Sequence, residues 1–179
     1  MRNIMVFEKE IHHRNDLNLE GCSICRRAVR GIIRKNNKLL LVYSNVNGEY
    51  KFPGGGLNAC EKHEEALIRE ISEETGGIVK EIKSKIGTVI EYNKSKEDTI
   101  DFFKMISDYY EVDIEEEIRE QKLDPYEKEL EFVPRWISIE EALKVNVDNI
   151  NDGNKKKTKW IERETYVLNE LNKYYKYRK

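Results

Sequence analysis

Residues 55–77 read GGLNACEKHEEALIREISEETGG, a glycine-rich start that runs into a segment with acids at 70, 73 and 74. At about 100° per residue on a helix those three positions fall within roughly 100° of one another, so Glu70, Glu73 and Glu74 share one stripe. Leu67, Ile68 and Ile71 are expected to face a core on the other side, and Ala66, one turn before Glu70, leaves room on the acidic face. Like charges at i and i+4 cost a helix about 0.2–0.5 kcal/mol, so Glu70 and Glu74 require a cation or a basic side chain between them. Arg69 is expected to pair with Glu73 or Glu65. Clustered hard oxygen donors suit Mg²⁺ or Mn²⁺, which keep several waters and take one or two carboxylates plus phosphate oxygens. Gly54, Gly55 and Gly56 add backbone that can approach a substrate closely or adopt positive φ, which makes them the expected substrate-binding residues.

The full spacing, Gly55-x5-Glu61-x7-Arg69-Glu70-Ile71-x-Glu73-Glu74-x-Gly76, resembles the signature of the Nudix hydrolases at every fixed position except the last. That position calls for an aliphatic residue, and Gly77 stands there with Ile78 one place later. The resemblance implies an α/β/α sandwich with a mixed β-sheet, in which a loop-helix-loop presents the acids. It implies hydrolysis of a diphosphate linkage in a nucleoside diphosphate derivative or nucleotide, with Mg²⁺ or Mn²⁺ as cofactor. Glu70, Glu73 and Glu74 match the family's metal-ligand positions, with Glu73 and Glu74 as the firmest ligands and Glu70 as ligand, base or both. Arg69 would orient these acids, and Glu61 would fix the loop by pairing with a base. A further acid, Glu127 or Glu129, would come from a loop before the Trp-containing strand as extra ligand or general base.

Composition fits one soluble domain. The 179 residues carry 34 acids against 32 bases, a net charge of −2, so no global attraction to nucleic acid or membrane is implied. Mean hydropathy is −0.77. No apolar run approaches the ~18 residues of a membrane span, and Arg2, Glu8 and Lys9 interrupt any leader core. A cytoplasmic monomer or homodimer is expected, acting on a small nucleotide-type substrate.

Working outward, residues 1–24 read as an irregular arm or edge strand and 25–179 as one domain ending in a helix. Ala28–Ile33 and Leu39–Tyr43 read as strands joined at Asn36-Asn37, and Tyr50–Phe52 as a short strand stopped by Pro53. Two longer strands are expected within 78–92 and 100–114, and a strand at 131–137 whose Pro134 suggests an edge or bulge. Ser138 and Glu141 form a capping box for a short helix, and Gly76-Gly77 a helix C-cap. After the turn at 151–154, Trp160, Val167, Leu168 and Leu171 recur at helical spacing, beside a Lys155–Lys157 run. Tyr50, Phe52, Phe103 and Tyr110 are candidates to stack on a base.

Cys22 and Cys25 form a C-x-x-C, which with His12 and His13 has the arithmetic of a zinc knot, against the alternative of reduced thiols. Two other functions remain: a nucleotide-sensing module that does not cleave, and an RNA 5′-end pyrophosphohydrolase. The second predicts a basic groove at the site, whereas the charge around 55–77 is acidic.

Overall fold

A computed structural model describes residues 5–153 and 158–177. The Lys155–Lys157 run and Asn154 lie outside the described residues. The described residues form two four-stranded sheets and four helices.

The first sheet is mixed, with β1 (Phe7–His12), β6 (Gly77–Asn93), β7 (Phe102–Ile118) and β2 (Ser23–Ile32) in the order β1-β6-β7-β2. β6 and β7 form a long antiparallel pair, and β1 and β2 add in parallel at the two edges. Phe7 lies opposite Gly87, where a Cβ would strike the phenyl ring, so this glycine seats the N-terminal strand. The second sheet is antiparallel: β4 (Lys38–Ser44) is flanked by β8 (Phe132–Ser138) on one side, and by β3 (Arg34–Lys35) and β5 (Glu49–Lys51) on the other. Pro134 therefore sits in an edge strand, where its missing N–H costs no ladder bond.

Asn36 and Asn37, with φ of 50° and 60°, form the two-residue hairpin that the sequence suggested. They join β3 to β4, however. β2 is not the hairpin partner of β4 but pairs with β7, so the chain changes sheets near Ile33.

The strand period of two separates the core into two layers. Leu39 and Leu41 pack with Phe52, Ala142, Val167, Leu168 and Leu171 on the side of α3 (Ile139–Asn151) and α4 (Ile161–Lys176). Leu40, Val29 and Ile33 pack with Ala66, Leu67 and Ile71 of α1 (His63–Thr75) on the other. Ile68, expected in the core, is 50% exposed: it follows Leu67 by one residue and is carried round to solvent. Trp160 caps α4 from just outside it, and Ser138 caps α3 by accepting from the Glu141 N–H; α3 is longer than the short helix expected.

At the end of α1, Gly76 takes the left-handed conformation (φ 70°) and Gly77 starts β6 directly. A Cβ at Gly77 would lie 2.9 Å from Thr75 Oγ1 and 3.2 Å from Ile71 Cγ2. The departure from the aliphatic residue thus has a packing reason, since Ile71 and Ile114 already fill that space.

Candidate active site

The site begins with a bent strand end. After Lys51 and Phe52, Pro53 leads into Gly54, whose φ of 139° is open only to glycine and whose Cα faces the backbone of Val29 and Arg30 too closely for a side chain. Gly31 N donates to Pro53 O at 2.8 Å and Val29 N to Gly55 O at 3.0 Å, which lashes the loop to β2. The loop passes over α1, so the helix stripe faces glycine backbone.

Arg69 organises this loop-helix unit. Its Nε and Nη2 donate to the two Glu61 carboxylate oxygens at 2.8 Å each, Nη2 reaches Gly56 O at 3.2 Å, and Nη1 donates to Glu70 at 2.6 Å and Glu73 at 3.3 Å. The guanidinium holds Glu61 well below the ordinary carboxylate range, at about 2, helped by the Asn58 N–H. Glu65, one of the partners expected for Arg69, instead accepts from the Lys62 N–H at 2.9 Å as part of the helix cap.

Glu70 and Glu74 are buried and Glu73 is half-exposed. Glu74, 1% exposed, accepts from the Gly54 N–H at 2.8 Å and pairs with the buried Lys51 ammonium, the basic neighbour that the i,i+4 repulsion required. Burial pushes the Glu70 carboxyl upward, opposed by Arg69 and reinforced by Glu74. Gln121 Nε2 donates to the Glu74 and Phe132 carbonyls at 2.5 and 3.2 Å, tying the end of α1 to β8.

Glu127 completes the cluster from a different element. The five-residue helix α2 (Pro125–Glu129) is closed by a reciprocal cap, in which Asp124 Oδ1 accepts from the Glu127 N–H at 2.8 Å and Glu127 Oε2 from the Asp124 N–H at 2.9 Å. That cap holds the Glu127 carboxyl beside the helix stripe. Burial, with Glu74 adding to it, lifts Glu127 to about 7. Carboxylate oxygens of Glu70, Glu74 and Glu127 lie within 4.8 Å of one another. Glu73 lines the same cavity but stands outside this convergence, and Glu129 points to solvent and lines no part of it. Three convergent hard donors of this kind suit a small divalent cation.

The cavity, of about 300 Å³, is bounded by Gly54–Gly56, Lys51, Arg69, the four glutamates, Tyr126 and Phe132. Arg30, Trp160 and Arg163 form a wall shared with a second cavity of about 490 Å³. The sequence reading did not select Lys51, Arg30, Trp160, Arg163 or Tyr126. A signal existed only for Arg30, a charge inside the apolar run 28–33. Of the candidate stacking aromatics, Tyr50 and Phe52 are core, Tyr110 bonds His63 at 2.7 Å, and Phe103 lines the second cavity.

Cys22 and Cys25 are exposed free thiols, and His12 stacks on Tyr92 while His13 contacts Glu91 and Glu162. Among the described residues these four do not come together as a cluster that could hold a metal ion, whereas the glutamate trio does come close enough to do so. No described helix is long and apolar enough to cross a membrane.

A glycine loop braced on β2, a helix with acids on one stripe and a mixed sheet beneath define the Nudix class of hydrolase. The NUDIX domain family matches residues 25–161, and the chain belongs to that family. It is 50% identical over 52 residues to an ADP-ribose pyrophosphatase of Methanocaldococcus jannaschii; the match spans 27% of this chain and only 31% of that protein. A Nudix hydrolase from Nitrosomonas europaea shares the fold with TM-score 0.53 and 19% identity, covering 82% of this chain and 91% of its own. A pyrophosphohydrolase of Bacillus subtilis aligns with TM-score 0.54 and 25% identity, over 84% of this chain and 82% of its own.

Proposed function

We propose that the chain hydrolyses a diphosphate linkage in a nucleoside diphosphate derivative, with Mg²⁺ or Mn²⁺. The convergence of Glu70, Glu74 and Glu127 at the floor of a cavity roofed by glycine backbone carries this reading. The short similarity to an ADP-ribose pyrophosphatase and the longer one to a pyrophosphohydrolase agree with it.

In this reading Glu70 and Glu74 hold the cation with Glu127 as a third ligand or as general base, and Glu73 contributes through the same cavity. A divalent ion there would neutralise phosphate charge and lower the pKa of a bound water. The water oxygen attacks phosphorus, the bond to the bridging oxygen breaks, and a carboxylate takes the water's proton. Arg69 keeps Glu70 and Glu73 in register with the loop, while the Gly54–Gly56 backbone leaves the phosphates room to approach. Arg30 lines the cavity as a cation for phosphate oxygens, while Lys51 stays paired with Glu74. Three exposed unpaired cysteines favour a reducing compartment such as the cytoplasm.

A panel of nucleoside diphosphate derivatives assayed with Mg²⁺ tests this. Turnover of at least one member, lost by orders of magnitude in Glu74→Gln, is expected. Tight binding of one member without turnover of any would instead establish a sensor. The charge argument against an RNA 5′ end applies to the glutamate cavity alone, because the adjoining cavity is basic. Triphosphorylated RNA therefore belongs in the panel.

A further inference from the structure

The second cavity differs in sign from the first although the two share a wall. Arg163 is committed to Glu91 and to Glu164, the latter at 2.7 Å. That leaves Arg26, Arg30, Lys94, Lys96 and Lys159 around this cavity against one remaining acid, Glu97. Among the described residues none of these five has an ion-pair partner. Ile24, Phe103, Met105 and Trp160 supply apolar surface between them.

The shared wall also carries unused donors. Arg30 is 8% exposed; its Nη1 donates to Gly54 O, yet its buried Nε–H has no acceptor among the described residues, and neither has the indole N–H of Trp160. A buried donor left without a partner is costly, so two in one wall point toward an acceptor from outside the chain. At about 490 Å³ the space falls within the roughly 300–1,000 Å³ of ligand sites and exceeds what one phosphate needs.

We propose that this annex receives a nucleoside that carries a phosphate of its own, in addition to the diphosphate cleaved next door. The inference rests on the hydrolase reading for its orientation. The ring lies against Phe103, Met105 and Trp160, and the extra phosphate meets Lys94, Lys96, Lys159 and Arg26. A phosphomonoester on a small nucleotide and the first diester of an oligonucleotide 5′ end present the same chemistry there.

Binding of adenosine 3′,5′-bisphosphate and of AMP, in Mg²⁺, separates this inference from catalysis. Trp160 fluorescence in a Trp136→Phe background is the readout, as these are the two tryptophans of the chain. The bisphosphate is expected to bind at least tenfold tighter, with the ratio falling below threefold in Lys94→Ala/Lys96→Ala. Equal binding of the two probes, no binding of either, or an equal loss of both in the double variant would overturn the proposal. Two kinetic pairs identify the source: coenzyme A against its dephospho form for the monoester, and the 5′-triphosphorylated ApA dinucleotide against ATP for the diester. A tenfold higher kcat/KM for the phosphate-bearing member of either pair supports the annex and names its substrate; turnover without preference in either pair overturns it. Selective binding with no turnover of any compound would uphold the annex and defeat the hydrolase reading.

Discussion

Gly55 lies directly against the Glu70 carboxylate, so closely that a single Cβ at 55 would occupy the space of the Glu70 oxygens. The loop glycine is thus a condition for where the acid sits. Gly55→Ala must move either the loop or Glu70, and a displacement near 1 Å at a catalytic group costs on the order of 10²-fold in rate. Turnover is expected to fall by about that factor, while thermal denaturation shows a loss of about 1–3 kcal/mol, as for overpacking elsewhere. Unchanged kcat would show that Glu70 need not occupy its present position.

Arg69 bonds both oxygens of Glu61 in a fork that an ammonium cannot reproduce. Arg69→Lys is expected to raise the Mg²⁺ concentration needed for half-maximal activity, since it frees Glu70 and Glu73 together. The pair also has a pH signature. Glu61 is depressed to about 2 from an ordinary value near 4.5, so its stabilisation is present above about pH 4.5 and is lost as pH falls through about 2. Urea titrations of Glu61→Gln should show a smaller loss of stability over that acid window than the unmutated chain shows.

Glu127 and Glu129 stand two residues apart on a five-residue helix, yet only Glu127 reaches the cluster. Glu127→Gln is expected to weaken Mg²⁺ at least as much as losing a group that supports a ligand, about 10–100-fold. Glu129→Gln should change it by less than about twofold. Isothermal calorimetry with Mg²⁺ on each variant checks this, and equal effects would remove Glu127 from the site.

Glu164 on α4, fully buried, accepts from the Phe52 N–H at 2.9 Å and from Arg163 Nε and Nη2 at 2.9 and 2.7 Å. It braces the strand end that leads into the glycine loop. Breaking a buried ion pair from one side costs roughly 3–5 kcal/mol, so Arg163→Ala is expected to lose about that much in urea denaturation. A loss under about 1 kcal/mol would mean that water or Glu91 rearrangement replaces the pairing.

The helix and its acids were legible because both depend on short-range rules: a 3.6-residue period, a glycine that can end a helix in the left-handed conformation, and side-chain caps three residues apart. Asn36-Asn37 and Ser138/Glu141 were readable for the same reason. The sheet partner of β2 was not, because strand pairing is decided by which distant surface is buried, and β2 and β4 both offer apolar residues. Ile68 shows the finer limit: the apolar face of α1 is narrower than its composition suggests, and it is Ala66, Leu67 and Ile71 that pack beneath the sheet.

By itself the amino-acid sequence determined the local pattern of residues 54–77: three acids on one stripe, an arginine beside them and glycines that leave the loop backbone open. Tertiary structure alone decided which carboxylate joins them from outside, because Glu127 reaches Glu74 only through the cap on α2. It alone also set Arg30, Trp160 and Arg163 between an acidic cavity and a basic one. These residues are brought together across the sheets by burial of the core, a long-range effect that leaves no spacing in the chain.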